Sequence, residues 1–220
     1  MNPKQRVFAQ IQHRETTPVP YTLPFEMPEL MDKVDEYYGD PAWRDELNNH
    51  ILEVPLPHPL LGIPGERTGE IDVLADLFGA TWAMHERPAH LVEAPIKSPS
   101  LQGYTFPEVS DCVLPEWEAE VRTFVEAHPN HFIVGSPGFG IFERSWVLRG
   151  FENMLADVII EPAFYESLVN AITDHQLALL DRMLAAPLDG ILFSDDWGYQ
   201  DGVLIGADRS RKFIKPNLKR

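Results

Sequence analysis

The sequence predicts an α/β fold in which helices cover a parallel sheet. From residue 115 onward the chain reads helix, strand, loop, helix, strand, loop, helix. The two strands in that alternation, HFIVGS (131–136) and DGILFSD (189–195), are short continuous apolar runs. Parallel neighbours need a helix-length return and are covered on both faces, which gives this pattern. A chain of 220 residues with a hydrophobic fraction of 44% is long and apolar enough for one large domain. No internal repeat or low-complexity tract divides it, and residues 1–220 are read as a single domain.

The elements follow in order. Asn2 and Pro3 make an N-cap and first-turn pair for a short helix carrying Val7, Phe8 and Ile11. After the prolines of TTPVP comes YTLPF (21–25), read as the first strand. MPELMDKVDEYYG is a helix stopped by Gly39, and DPAWRDELNNH a second one capped by Asp40. Residues 51–70, rich in proline and glycine, are read as an extended surface loop. In IDVLADLFGATW (71–82) the GATW end is taken as a strand, and KSPSLQGYTFPEVSD as loop. PEWEAEVRTFVEAH (115–128) places Trp117, Val121, Phe124 and Val125 on one helical face. After HFIVGS and the turn PGFG, a helix starts near Ile141, and Pro162 restarts it with Phe164, Leu168, Ile172, Leu179 and Met183 on one side. A last helix, capped by Asp208, carries Phe213, Ile214 and Leu218.

Composition excludes several classes of partner. A formal net charge of −16 argues against nucleic acid and anionic membrane surfaces, which both reward basic patches. Six of the eighteen basic residues fall in the last thirteen, DRSRKFIKPNLKR, which reads as a basic helical face. One cysteine, Cys112, suits a reducing cytoplasm. The N-terminus lacks the apolar region of a signal peptide, and no run approaches the ~20 apolar residues of a membrane span. The expectation is a cytoplasmic protein.

In parallel α/β folds, chemistry sits beyond the carboxyl ends of the strands. FSDDWG places Asp195, Asp196 and Trp197 there. The two aspartates are the candidate catalytic residues, a carboxylate there binding a cationic or N–H group or moving a proton. Their side chains point to opposite faces if the strand stays extended. Glu143 and Arg144, in the first turn after GSPGFG, read as substrate contacts or as an internal ion pair. That glycine pattern matches neither the dinucleotide nor the P-loop spacing. HERPAH (85–90) has one residue too many between its histidines and a proline inside for a zinc-protease helix. HPNH (128–131) reads as a helix C-cap. Cys112 has no histidine placed beside it by sequence, and no metal ligands are assigned.

The segments NPKQRVFAQIQHRETTPVP, GFGIFERSWVLRGFENML and DGILFSDDWGYQDGVLIGADRSRKFIKPNLKR resemble the uroporphyrinogen decarboxylase family, which also includes corrinoid-dependent methyltransferases. The resemblance implies a (β/α)8 TIM-barrel-type fold. Here about four strands are legible, so the chain is expected to hold only about the first four βα units of that barrel. The family's decarboxylases, lyases of porphyrin biosynthesis, carry an arginine-rich stretch after the first strand. This sequence instead has Phe25 and Glu26, and a carboxylate there repels a polyanionic substrate. An aspartate ahead of the glycine-rich strand, matched by Asp76, is a further binding residue implied by the resemblance. The methyltransferases use zinc held by a His-x-Cys and a distant Cys. Neither occurs here, so zinc is expected only where a further C-terminal half supplies the ligands.

The expectation is therefore a methyltransferase-like member acting on a corrinoid or tetrapyrrole-type ligand. Asp195, Asp196 and Trp197 line its site, with Phe25 and Glu26 opposite and Glu143 and Asp76 nearby. Expected partners are a small molecule or a corrinoid protein, and a second copy in a homo-oligomer. The alternatives are the decarboxylase itself and a catalytically silent half-barrel that binds a partner chain.

Overall fold

The computed structural model describes residues 1–23, 28–62, 73–84 and 89–220. Its elements are α1 (Pro3–Ile11), α2 (Pro28–Tyr38), α3 (Trp43–Glu46), β1 (Ile51–Glu53), β2 (Val73–Ala75), β3 (Thr81–Ala83), β4 (His90–Glu93), α4 (Val109–Cys112), α5 (Trp117–Ala127) and β5 (Phe132–Gly135). They continue with α6 (Ile141–Arg149), α7 (Phe151–Ile160), α8 (Pro162–Met183), β6 (Gly190–Ile191), β7 (Gly198–Tyr199), β8 (Gly202–Val203), α9 (Ala207–Arg209), a π-helical turn at Ser210–Ile214, and α10 (Lys215–Lys219).

A parallel sheet in the order β1-β5-β6 forms the centre, with Ile51 opposite Phe132 and Val134 opposite Gly190. Alternation gives it two distinct faces. Val54 and Ile133 pack toward Leu168, Ile172, Leu179 and Met183 of α8, together with Trp117 and Val121 of α5. On the other face Ile51, Phe132 and Val134 meet Val7 of α1. Helix α1 is fixed by a capping box, Gln5 N–H to Asn2 Oδ1 at 2.8 Å and Asn2 N–H to Gln5 Oε1 at 3.0 Å. It docks through Lys4 Nζ, 2.6 Å from Asp189 Oδ1.

Several expectations change here. Residues 51–53 are not loop. They form β1, a partner of β5, and Leu61 further on is buried. Pro55, Pro57 and Pro59 halt the strand after three residues, and their density hid it. Residues 21–23 form no strand, and Phe25 lies outside the described residues. The GATW strand belongs to an antiparallel sheet, β2-β3-β4, because a tight turn at 76–80 returns the chain directly instead of through a helix. Trp82 of β3 stacks on Phe139, with ring centroids 5.9 Å apart, and so fastens this sheet to the start of α6. The strand read at 189–195 is regular only at Gly190–Ile191, with a further bridge between Phe139 and Ser194. The parallel sheet among the described residues therefore has three strands and stays open, not closed into a barrel. Gly150, at φ +85°, breaks the helix after Ile141 into α6 and α7. Asp208 lies inside α9 and pairs with Arg211 at 2.9 Å, while Gly206 takes the cap position.

The α6–α7 corner is held by a buried ion pair, Arg149 Nε to Asp157 Oδ2 at 2.7 Å. Arg149 Nη1 also donates to the Lys97 carbonyl at 3.2 Å. Replacing Asp157 with alanine leaves a buried guanidinium facing carbonyls alone. The expected loss is about 3–5 kcal/mol, measured by urea unfolding.

Candidate active site

The carboxyl ends of β1, β5 and β6 lie on one side of the sheet, and α6 begins there after a tight glycine turn. Asp195 reaches back from the segment after β6 and caps that helix. Its Oδ2 accepts the Phe142 N–H at 3.0 Å and its Oδ1 the Glu143 N–H at 2.8 Å. Gly140 makes the seat. A Cβ at that position would stand 2.3 Å from Asp195 Cγ, so no other residue leaves room for the carboxylate. Burial raises the Asp195 pKa, and the amides of Glu143 and Phe142 pull it back.

Glu143 answers from the first turn of α6. Burial, then the charge of Asp195, push its carboxyl up to about 7, and the backbone amide of Asp196 opposes the rise. Its Oε2 is buried without a hydrogen-bond partner. Asp196, the next residue along, is exposed in the segment after β6. Trp197 is half-buried, and its indole N–H, beside Asp195, closes no hydrogen bond. The Tyr165 hydroxyl is likewise buried and unpartnered, next to Ser145 and within the field of Asp195. Buried polar atoms are almost always paired, so these groups make the strand end the candidate site.

Two further calls resolve into structure. Glu143 and Arg144 do not pair with each other: Arg144 turns the opposite way. It donates to the Leu61 carbonyl, stands 3.5 Å from Asp76 Oδ2 and covers the Phe78 ring at 3.6 Å. Asp76 accepts from the amides of Phe78 (2.9 Å) and Ala80 (3.0 Å) and from the Trp82 indole (3.2 Å). The carboxylate implied as a binding group is thus the hub of the β2–β3 turn. Phe25 and Glu26 lie outside the described residues.

Sequence reasoning missed Glu53. It ends β1 on the face it shares with Ile51 and Val134, and burial raises its pKa. By the register it shares that face with Gly190. The signal was the pair Ile51-Leu52 running into an acid, the same apolar-to-acid step that drew attention to Asp195. Behind the strand end, a cavity of about 540 Å³ opens between α8, α10, the start of α6 and the segment after β6. Its lining includes Asp195, Trp197, Phe193, Gln176 and Leu180.

Cys112 does have a histidine beside it, His175 Nε2 at 4.0 Å, brought there by α8. That nitrogen also lies 2.9 Å from the Pro107 carbonyl, and burial pushes the thiol up to about 11. A thiol so placed is no nucleophile at neutral pH. His128 caps α5, its Nδ1 2.8 Å from the Phe124 carbonyl, as HPNH suggested.

Comparison with known proteins finds no matching family model and no matching curated protein. Among solved structures, the fold is similar to that of a methyltransferase from Methanosarcina mazei, with a TM-score of 0.68 and 18% sequence identity. The match covers 100% of this chain and 66% of that one. The two share a fold, and this chain spans 66% of the length of its neighbour. No described helix is long and apolar enough to cross a membrane.

Gly140→Ala is expected to unseat Asp195 and to cost about 1–2 kcal/mol, the worth of a helix cap. Carbon-detected NMR should then show Glu143 titrating closer to an ordinary glutamate. The raised Glu143 pKa also has a sign. The folded state holds the proton more tightly, so this contribution is complete below about 4.5 and lost as pH rises through about 7. Glu143→Gln should flatten that part of the stability–pH curve measured by urea unfolding.

Proposed function

We propose that this chain carries methyl-group transfer at the open carboxyl end of the parallel sheet. The reading is supported by a fold that matches a methyltransferase over the whole chain. Carboxylates stand where such folds place their chemistry. Asp196, exposed in the segment after β6, is the general base, and Glu53, at the end of β1, is the second acid. In the step, the acceptor's X–H loses its proton to Asp196. The freed pair on X attacks the methyl carbon, and the carrier departs with the bonding electrons. A methylated corrinoid on a partner protein is the donor in this reading, as the uroporphyrinogen decarboxylase-family resemblance implies.

Zinc does not fit the residues present. No group of three His, Cys, Asp or Glu among the described residues is placed to hold a metal. The thiol of Cys112 is buried and far from ionisation. Decarboxylation of a polyanionic porphyrinogen stands behind methyl transfer, because the acids at this strand end repel it.

One observation favours a second reading, a non-catalytic half that completes its sheet with a partner. Among the described residues strand β6 is an edge, and Leu192 and Phe193 beyond it are 44% and 53% exposed.

The test follows the methylcobalamin spectrum in the presence of a small thiol. The chain should accelerate demethylation, and Asp196→Asn should slow it at least tenfold with an unchanged circular dichroism spectrum. If methylcobalamin neither binds nor reacts, methyl transfer is wrong. A native mass above that of one chain would then favour the partner-binding half.

A further inference from the structure

Three histidines converge at the opposite, amino end of the parallel sheet. His50 directly precedes β1 and His131 directly precedes β5, and the pairing of Ile51 with Phe132 makes them neighbours. The Phe132 amide donates to the His50 carbonyl at 3.0 Å. His128 closes α5, and its ring stands 5.8 Å from that of His131 at 76°. His50 is 1% exposed and meets the Tyr21 ring edge-on at 4.8 Å. The Nδ1 atoms of His50 and His131 are both buried without a hydrogen-bond partner. A proton on His131 Nδ1 puts a charge where that atom has no acceptor.

The same turn is the anchor of α1. The Lys4 amide donates to the Asn130 carbonyl at 2.8 Å, and Asn2 Nδ2 donates to Asn130 Oδ1 at 2.9 Å. Among the described residues, the charged groups at this end include Lys4, from α1, and Asp189, from the segment ahead of β6. Their salt bridge uses one carboxylate oxygen of Asp189, and the Ile133 amide uses the other at 2.9 Å. A new positive charge at the turn therefore meets Lys4 and an already committed Asp189.

The geometry points to an acid-triggered release: His131, set between His50 and His128, is a proton-sensitive base for α1, and charging it frees α1 from Ile51, Phe132 and Val134. Burial, then the neighbouring His128 and His50, hold His131 below the ordinary imidazole range. A base depressed in this way leaves the folded state with fewer bound protons than the unfolded one. Its stabilising contribution is complete above roughly pH 6.5, the ordinary histidine value, and is lost as pH falls from there toward the folded pKa.

Hydrogen exchange of the full chain, corrected for the intrinsic pH dependence of exchange, tests this. Protection of residues 3–11 should fall at least tenfold between pH 7.5 and 5.5 while that of α8 holds. His131→Gln should abolish the difference. If that variant does not fold, the imidazole resonances of the wild-type chain decide. Release of α1 must then follow the protonation of His131, with a midpoint below that of free histidine. Equal protection at both pH values, an unaltered loss in His131→Gln, or a His131 midpoint at or above that of free histidine would overturn the proposal.

Discussion

The guanidinium of Arg144 is 2% exposed, and three separate stretches of chain are arranged around it. Leu61 offers a carbonyl, Asp76 a carboxylate, and Phe78 the face of its ring. Burial pulls its pKa down to about 10, against the opposing pull of Asp76, and the group stays charged. A charge this deeply placed is tolerated only with such partners, so the partners are constrained as strongly as the arginine. Removing any one of them exposes the others to the cost of an unpaired buried group. The β2–β3 hairpin, the turn before Gly62 and the start of α6 are in this way locked together. The acid cluster at the end of β6 leans on the first turn of that same α6. The site's geometry therefore depends on a contact made on the far side of the helix.

Helix α6 serves two carboxylates differently. Asp195 takes the amides at its N-terminus, where partial positive charge and unpaired N–H groups favour an anion. Glu143, within the first turn, receives less of that help and more of the repulsion from Asp195 and Asp196. Adjacent acids thus acquire different duties from position alone. One is a structural anchor, one carries a proton near neutrality, and Asp196 is left free at the strand end.

Much of this was legible in the chain. The amphipathic helices announced themselves by periodicity, and β5 by an unbroken apolar run whose residues are buried. Asp195 and Asp196 stood out because two acids and a tryptophan follow an apolar stretch. What stayed hidden was of two kinds. Three-residue strands such as β1 carry too few positions for a pattern, and Pro55 and Pro57 turned the eye toward loop. Long-range partnerships such as Arg144 with Asp76, or Cys112 with His175, leave no local trace, since each half looks complete in its own neighbourhood. The glutamate of β1 was lost with its strand, and it is a second carboxylate at the carboxyl end of the sheet.

The register of the central sheet also sets an order of assembly. Strands β5 and β6 are joined through α6, α7 and α8, which pack on one another within a single continuous stretch of chain. Strand β1 meets β5 only after Ile51 has found Phe132, eighty-one positions later. Closing a loop of that length costs entropy before any contact repays it. The stretch from α5 to β6 is therefore the natural nucleus, and β1, with α1 beneath it, is added to a surface already formed. The edge that receives it must wait with its backbone amides bare, and that interval is when a neighbouring chain competes for the same place.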